Sequence, residues 1–292
     1  MFEIKKHRVL ASGISLYQVY APRVAKSALP GQFVIVRTHE EGERIPLTVA
    51  DYNAEKGTVT IVIQAVGKAT HRIVDLKEGD SFLDFAGPLG HPTELIDEKI
   101  EDLKDLKILF VGGGVGAAPI YPQVKWLANK GVKADMILGA RSEEQLIIVD
   151  ELKEVTNNLH LCTNDGSVGR QGFVTDVMKD LREKNEFNYD LIIVIGPMIM
   201  MKSVSELTAE YGIKTIASLN TLMVDGTGMC GACRVSIGGK TKFACVDGPE
   251  FNAHEVNFDE AMRRQLMFKS EEGQALIKLQ KEKEGHKCSC KG

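Results

Sequence analysis

Residues 225–245 read DGTGMCGACRVSIGGKTKFAC, and their spacing is the most specific signal in this chain. Cys230 and Cys233 are separated by two residues, and Cys245 follows after eleven more. Asp225 lies five positions before the first of these cysteines, and three glycines surround the pair. Glycine permits the tight backbone turns that a loop needs to fold closely around a metal centre. This stretch therefore predicts a metal-binding loop.

The spacing favours a [2Fe–2S] loop. In plant-type loops, a cysteine precedes a Cys-x2-Cys pair by five positions, and a fourth cysteine lies further along the chain. Here Asp225 replaces the first cysteine, so the expected metal ligands are Asp225, Cys230, Cys233 and Cys245. Two alternatives remain open at this point. Zinc could occupy the loop, although structural zinc usually takes four nitrogen or sulfur ligands. Asp225 could instead be a turn residue, since Asp-Gly is a common turn pair.

Length and composition are typical of a globular protein with more than one domain. The chain has 292 residues, which suits two domains and a small module. Its net charge is −4, and no basic stripe favours a nucleic-acid partner. The N-terminal sequence MFEIKKHRVL lacks the apolar run of a signal peptide, and no stretch is long enough to span a bilayer. We therefore expect a cytoplasmic protein, and six cysteines without an export signal favour metal or redox chemistry over a disulfide framework. Cys162 is expected in the core, and Cys288 and Cys290 in a frayed C-terminal tail.

Two secondary-structure patterns follow one another along the chain. Short β-branched or alternating segments separated by Gly, Pro or Asn predict an antiparallel β-barrel at the N-terminus. From Leu106, apolar strands alternate with helical segments, as in a doubly wound α/β domain. The expected fold is thus a β-barrel plus α/β architecture with a C-terminal [2Fe–2S] module. The predicted division is a barrel over 1–98, a nucleotide-binding domain over 99–220, the cluster module over 221–254 and a helical tail over 255–292.

A glycine-rich turn predicts a nucleotide site. Residues 111–119 read VGGGVGAAP and directly follow the apolar strand KILFV. Such a turn lets a pyrophosphate approach the N–H groups at a helix N-terminus. Two later strands end in turn residues at 163–166 and 196–198, and the carboxyl ends of parallel strands meet at one edge of the sheet. The alternative is a set of structural turns that bind nothing.

The barrel half contains two further motifs that fit a phosphate ligand. Arg44 begins the sequence RIPLT, and arginine can hold a pyrophosphate through two parallel hydrogen bonds. Gly67 begins GKAT, a turn that can offer backbone N–H groups and a hydroxyl to phosphate. A surface ion pair for Arg44 and an ordinary turn at Gly67 are the alternatives.

The order of these motifs resembles the ferredoxin–NADP⁺ reductase superfamily. Within it, the chain is similar to the electron-transfer subunits of dihydroorotate dehydrogenase. It resembles still more closely the small (alpha) subunit of NADH-dependent reduced ferredoxin:NADP⁺ oxidoreductases, also described as the sulfide dehydrogenase small subunit. The resemblance covers residues 1–254. The dihydroorotate relatives have cysteine at the position of Asp225, whereas the bifurcating relatives have aspartate.

The resemblance implies three cofactors: FAD, a [2Fe–2S] cluster, and NAD(H) or NADP(H). No side chain is implied as a catalytic acid or base, and Thr48 would lie near the flavin N5. The residues implied to contact FAD are Arg44, Pro46, Leu47, Thr48, Gln64, Val66, Gly67 and Thr70. Those implied to contact the pyridine nucleotide are Gly113, Gly114, Val115, Gly116, Pro119, Asp165, Gly166, Gly196, Pro197 and Met198. The chain departs from many relatives at Ile195, where they have a cysteine before Gly-Pro.

The implied function is that of an electron-transfer subunit in a flavin-based bifurcating NAD(H)/NADP(H)/ferredoxin oxidoreductase. Its expected partners are a larger flavin and [4Fe–4S] subunit, in a heterodimer or higher assembly, and ferredoxin through that complex. No nucleic acid or membrane is expected. One alternative is the electron-transfer subunit of an NAD-dependent dihydroorotate dehydrogenase. The other is a non-catalytic, zinc-binding interaction module.

Overall fold

The structure is a computed structural model that describes residues 1–289, with side chains described as far as residue 283. The C-terminal cysteines, which we expect to belong to a solvated tail, are not part of this description. Cys290 lies outside the described residues, and the side chain of Cys288 lies outside the described side chains.

Seven strands form an antiparallel sheet in the order β6-β1-β2-β5-β4-β3-β7. The two strands at the ends of this order are adjacent in sequence and separated by Leu83 alone, so the sheet must curl until its edges nearly meet. This confirms the expected barrel. Its strands are β1 (Phe2–Ala11), β2 (Ile14–Tyr20), β3 (Phe33–Arg37), β4 (Ile45–Asn53), β5 (Thr58–Gln64), β6 (Ser81–Phe82) and β7 (Asp84–Leu89). Two short helices, α1 (Pro22–Ser27) and α2 (Lys68–Ile73), connect them.

The second half of the chain forms an α/β sheet, as expected. Its central strands are buried over their whole length, which explains their continuous apolar sequences. The first part of this half contains α3 (Ile100–Asp105), β8 (Ile108–Gly113), α4 (Ala117–Asn129), β9 (Asp135–Ala140), α5 (Val149–Val155) and β10 (Leu159–Thr163). It continues with β11 (Arg170–Gln171), α6 (Val174–Glu183), β12 (Leu191–Ile195), α7 (Met198–Tyr211) and β13 (Lys214–Ser218).

The strand order of the α/β sheet places a crevice beside its first strand. The order is β11-β10-β9-β8-β12-β13-β16. The chain therefore proceeds outward on one side from β8 to β10 and then crosses to β12 on the other side. In open α/β sheets, ligands bind at this reversal, beyond the carboxyl ends of the strands. The glycine-rich turn after β8 lies at that point.

The metal-loop segment completes the α/β sheet. It contains a hairpin of β14 (Arg234–Ile237) and β15 (Lys240–Phe243), then α8 (Ala244–Asp247) and β16 (Glu250–Asn252). Gly238 and Gly239 connect the hairpin with φ of 55° and 76°, as a tight two-residue turn requires. The last strand, β16, pairs antiparallel with β13, with Ser218 opposite Glu250. The predicted domain boundaries remain a prediction, but this pairing joins residues from two of the predicted units.

The barrel, the α/β sheet and the metal-loop segment share a hydrophobic core. Phe33 and Ile35 of β3 lie in one buried cluster with Cys233, Cys245 and Phe251. The same cluster contains residues from β8 to β13. Because close-packed interiors are rigid, this shared core fixes the metal loop relative to both larger units.

The C-terminal segment forms two helices, α9 (Phe258–Gln265) and α10 (Lys269–Ser289). The second helix returns to the barrel, where Leu279 is buried and Lys283 pairs with Asp75 just beyond α2. In the part of the chain that the structure describes, we find no helix that is long and apolar enough to cross a membrane.

Substitution of Gly116 tests the close packing at the sheet reversal. Its backbone φ of −60° suits any residue, but a Cβ atom there would overlap the carbonyl oxygen of Ile195. We expect Gly116→Ala to destabilise the protein by about 1–3 kcal/mol, seen as a lower melting temperature. The control is Gly273→Ala, because Gly273 lies in α10 with open space around it. That substitution should leave the melting temperature unchanged or raise it slightly. Equal melting temperatures for the two variants would contradict the packing argument.

Candidate metal centre and nucleotide site

The four predicted metal ligands lie in two pairs. The Cys230 thiol donates to Asp225 Oδ1 at 3.3 Å, and Cys233 Sγ lies 3.2 Å from Cys245 Sγ. In the first pair, Cys230 is exposed and Asp225 is half-buried, whereas the second pair is buried in the shared core. The loop reaches this arrangement through Gly226, Gly228 and Gly231, which have φ between 66° and 85°. Such positive φ values favour glycine, which explains the three glycines around the cysteine pair.

The carboxylate of Asp225 faces the cysteine loop. It accepts hydrogen bonds from the backbone N–H groups of Thr227 and Cys230, each at 3.1 Å. The Thr227 hydroxyl donates a further bond at 3.2 Å. These bonds, the backbone bond of Thr227 above all, hold the pKa of Asp225 below its usual value despite some desolvation. The loop is therefore built to keep an anionic oxygen next to Cys230.

The chemistry and the pairing of the donors fit a two-metal centre. Among residues 1–283, whose side chains the structure describes, no three His, Cys, Asp or Glu side chains are arranged to hold one metal ion together. Three thiols and one carboxylate in two separate pairs instead offer two ligands to each of two metal atoms. Thiolate ligands suit iron–sulfur clusters, so the residues fit a [2Fe–2S] cluster.

Arg44 connects the barrel to the metal loop. Its Nε donates to the carbonyl oxygen of Val224 at 3.0 Å, and its Nη2 donates to that of Asp225 at 3.5 Å. Sequence reasoning assigned Arg44 and Asp225 to different cofactors and missed this contact. A guanidinium has five N–H donors, so the two carbonyl bonds leave three for another ligand. Arg44 can therefore bind the loop and a phosphate at the same time.

The predicted flavin residues of the barrel lie along β4 and at the end of β5. Pro46, Leu47 and Thr48 are half-buried on β4, and Gln64 ends β5. Val66 is 68% exposed, which leaves it free to contact a ligand.

The Thr70 hydroxyl closes the turn that begins α2. It accepts from the N–H groups of Val66 and Gly67 at 2.9 Å each, and it donates to the Gly67 carbonyl at 3.0 Å. A hydroxyl has one donor and two acceptor sites, so this one is fully used. Thr70 shapes the turn at Gly67, and the binding of FAD phosphate by these two residues stays a prediction.

The two glycine turns predicted for the nucleotide meet at the sheet reversal. Gly113 ends β8 and is followed by Gly114, Val115 and Gly116, whereas Gly196, Pro197 and Met198 follow the neighbouring β12. Their backbones are in close contact, because a Cβ on Gly196 would lie 3.1 Å from the Gly113 nitrogen. The structure also brings Met200 against both Gly113 and Gly196. Sequence reasoning missed Met200, since its place in α7 carries no distinctive motif.

Pro119 and the remaining predicted nucleotide residues lie at the same edge of the sheet. Pro119 is in the first turn of α4, where its missing N–H costs no hydrogen bond. Asp165 and Gly166 follow β10, two strands away from β8. The Asp165 carboxylate accepts from the Ser167 hydroxyl and N–H group at 2.7 and 3.0 Å, and these bonds lower its pKa. Asp165 thus stabilises the turn that follows β10, at the carboxyl edge of the sheet and two strands from the glycine turn after β8.

Comparison with known proteins agrees with this geometry. Residues 220–257 match the iron–sulfur cluster binding domain of dihydroorotate dehydrogenase B, and residues 110–206 match the oxidoreductase NAD-binding domain. A Thermotoga maritima protein described as a dihydroorotate dehydrogenase B electron transfer subunit homolog is 47% identical over 270 residues, covering 92% of each chain. The chain belongs to the dihydroorotate dehydrogenase B electron-transfer subunit family.

Other members and neighbours refine this assignment. A probable electron transfer subunit of Methanocaldococcus jannaschii is 37% identical, covering 78% of this chain and 81% of that one. A solved structure concerned with flavin-based electron bifurcation by the NADH-dependent reduced ferredoxin-NADP oxidoreductase contains a chain that is 44% identical, with a TM-score of 0.87. The match covers 95% of this chain and 97% of that chain. Phthalate dioxygenase reductase, at 15% identity and a TM-score of 0.56, shares the fold alone.

These findings confirm the expected family and the barrel plus α/β fold with an iron–sulfur module. They also confirm that the chain is an electron-transfer family member with an iron–sulfur-binding domain and an NAD-binding domain. The individual contacts of the predicted flavin, nucleotide and metal residues stay predictions.

Substitution of Asp225 tests whether its carboxylate is a metal ligand. We expect Asp225→Cys to keep a [2Fe–2S] cluster, because cysteine is the usual ligand at this position of the loop. The exchange of a hard oxygen for a soft sulfur should shift the reduction potential and the electron paramagnetic resonance spectrum. Redox titration of anaerobically purified protein measures both.

The control for this substitution is Asp259→Asn, which removes an exposed carboxylate that pairs with Lys202 on α7. It should leave the cluster potential and spectrum unchanged. If Asp225→Cys also leaves both unchanged, Asp225 is a turn residue and not a ligand.

Proposed function

We propose that this chain is the electron-transfer subunit of a flavin-based bifurcating oxidoreductase that acts on NAD(H), NADP(H) and ferredoxin. The observation that carries the proposal is the Asp225 carboxylate facing Cys230 in the place of a thiolate. The chain of the NADH-dependent reduced ferredoxin-NADP oxidoreductase structure supports it, since it matches almost the whole fold. The specific NAD(P)H:ferredoxin activity is part of this proposal.

On the barrel side, we assign FAD to the surface formed by β4, the end of β5 and the turn before α2. Arg44 would hold the pyrophosphate with the N–H groups that its bonds to the metal loop leave free. Pro46, Leu47 and Thr48 would line the isoalloxazine, with Thr48 near N5. When bound, FAD would supply hydride exchange with a nicotinamide and one-electron exchange with the iron–sulfur centre.

On the α/β side, we assign the pyridine nucleotide to the crevice at the sheet reversal. The turn from Gly113 to Gly116 would bind its phosphates through backbone N–H groups at the start of α4. Gly196, Pro197 and Met198 would border the nicotinamide or its ribose. Ile195 precedes them with 6% exposure, so this position offers the nicotinamide no thiol and little side-chain surface. The role of this side of the site is to orient the nicotinamide, because cofactors carry the chemistry.

The metal loop would deliver single electrons to or from a larger partner. We assign Asp225 and Cys230 to one iron and Cys233 and Cys245 to the other, following the pairs in the structure. The proposed partner is a larger flavin and [4Fe–4S] subunit, because the described cysteines include no second set of cluster ligands. Ferredoxin would react through that complex. We propose a cytoplasmic location, where thiols remain reduced.

A second candidate function is the electron-transfer subunit of an NAD-dependent dihydroorotate dehydrogenase. It is favoured by the names of the Thermotoga maritima and Methanocaldococcus jannaschii relatives. Its partner would be a subunit with an FMN-containing barrel, and the fold described here would serve that role equally well. The identity of the partner therefore distinguishes the two functions.

Anaerobic purification of the untagged native protein tests the proposal. FAD, iron equivalent to one [2Fe–2S] cluster per chain and a larger iron–sulfur flavoprotein partner are expected. FAD and iron with an FMN-containing partner would replace the first proposal by the second. A colourless protein with zinc and without flavin would contradict both.

Arg44 substitutions test the assignment of the flavin site. Arg44→Gln removes hydrogen bonds to a charged phosphate, which contribute about 1.5–3 kcal/mol, so the dissociation constant of FAD should rise about 10- to 100-fold. Arg44→Lys should give a smaller rise, because lysine keeps the charge and lacks the planar fork. Flavin fluorescence titration of the deflavinated protein measures the constant.

The control is Arg23→Gln, because Arg23 is an exposed arginine on α1. It should leave FAD binding unchanged. FAD binding by Arg44→Gln with the affinity of the unaltered protein would contradict the assignment.

A further inference from the structure

Three polar side chains meet in the interior where the barrel, the α/β sheet and the metal-loop segment join. Thr93 lies in the connection between β7 and α3, Gln123 lies on α4, and Glu250 begins β16. Thr93 and Gln123 are each 1% exposed, and Glu250 is half-buried with its Oε2 atom shielded from solvent. Gln123 Nε2 donates to Glu250 Oε1 at 2.7 Å, and the Thr93 hydroxyl lies beside the same carboxyl group. None of these residues belongs to the flavin, nucleotide or metal sites.

The cluster contains oxygen atoms that have no hydrogen-bond partner. Thr93 Oγ1, Gln123 Oε1 and Glu250 Oε2 are all shielded from solvent and unpartnered. The Gln123 oxygen and an ionised Glu250 oxygen can only accept hydrogen bonds, so they cannot satisfy each other. An unpartnered buried polar atom costs about 1–3 kcal/mol, and a buried charge costs more. A native interior rarely keeps such a set without compensation.

The surroundings give the Glu250 carboxylate no compensating positive charge. The charged group that acts on it is Glu94, in the same connection as Thr93, and its negative charge opposes ionisation. Glu94 in turn faces Lys214 of β13, at 3.9 Å. His91 of the connection joins this region through its backbone N–H, which donates to the Gly248 carbonyl at 2.7 Å. The contact from α4 is the neutral amide of Gln123.

We propose that Glu250 binds a proton and is neutral in the folded protein. This proton stabilises the contact between the barrel, the α/β sheet and the metal-loop segment. The added O–H makes Oε2 a donor. The Thr93 hydroxyl can donate to either form of the acid, but only the protonated form can donate to Gln123 Oε1, and its proton also removes the charge. This inference depends on the fold alone and not on which redox partner the chain serves.

The titration of Glu250 agrees with this assignment. Burial raises its pKa from 4.5 to about 7, with Glu94 adding to the rise and the nearby Thr93 hydroxyl and Gln123 amide opposing it. An acid with a raised pKa in the folded state stabilises the fold fully below its unfolded pKa. That contribution is lost as the pH rises towards the folded pKa. The contribution of Glu250 to the free energy of unfolding should therefore be largest in mildly acidic solution and should fall as the pH approaches and passes about 7.

Thermal unfolding of the full-length, cofactor-loaded protein between pH 5 and pH 9 tests the proposal. Glu250→Gln keeps the shape of the side chain and fixes it in a neutral form. The unfolding equilibrium constant of the unaltered protein, divided by that of this variant, should rise about tenfold per pH unit between pH 5 and about 7. Above pH 8 the ratio should stay constant. Glu255→Gln is the control, because Glu255 is an exposed glutamate in the same segment. Its melting temperature should run parallel to that of the unaltered protein.

If the melting temperatures of the unaltered protein and of Glu250→Gln change with pH in parallel, the proposal is overturned. That result is expected if a water molecule or a cation fills the junction instead. Infrared spectroscopy of the unaltered protein, with carboxyl-labelled glutamate, keeps the test decisive even if the variant does not fold. A protonated carboxyl band at pH 6 that disappears by pH 9 supports the proposal. Absence of that band at pH 6 contradicts it.

Discussion

The hydrogen bonds from the Arg44 guanidinium to the carbonyl oxygens of Val224 and Asp225 join the two halves of the redox site. They connect the residue directly before β4 of the barrel to a loop 180 residues further along the chain. The barrel surface proposed for the flavin and the loop proposed for the metal centre are thereby held side by side. Gly226 reinforces the contact, because its backbone packs directly on the side chains of Ile35 and Leu89. A larger residue there would push the loop away from the barrel.

A second constraint comes from the parallel sheet. Its reversal between β8 and β12 brings two glycine turns into contact and opens the crevice on the side where the barrel packs. The metal-loop segment then returns to the same sheet through β16. The three proposed cofactor sites thus surround one shared core, which suits electron transfer because it keeps their separations fixed. Glu250 lies at the same junction and adds a group that responds to pH.

Signals that are local in sequence predicted most of the fold. The strands β8, β9 and β12 are largely apolar runs, and the turns after β8 and β12 carry glycines that meet at the sheet reversal. The cysteine spacing likewise singled out four residues that the structure places in two close pairs, and their role as metal ligands stays a prediction. What sequence alone could not predict depends on distant partners. The strand β16 is only three residues long and is defined by pairing with β13. The bond of Arg44 to the metal loop, the contact of Glu250 with Gln123 and the return of α10 to the barrel carry no local pattern.

The account rests on a metal loop in which one iron has a carboxylate ligand, and Mössbauer spectroscopy tests this most directly. The full-length protein would be produced with ⁵⁷Fe and measured in its oxidised and reduced forms. We expect two unequal iron sites, one with two thiolate ligands and one with a thiolate and an oxygen ligand. Their signals should have about equal areas, because the ligands fall into two pairs. Two equivalent all-thiolate sites, or the absence of a two-iron cluster, would contradict the account.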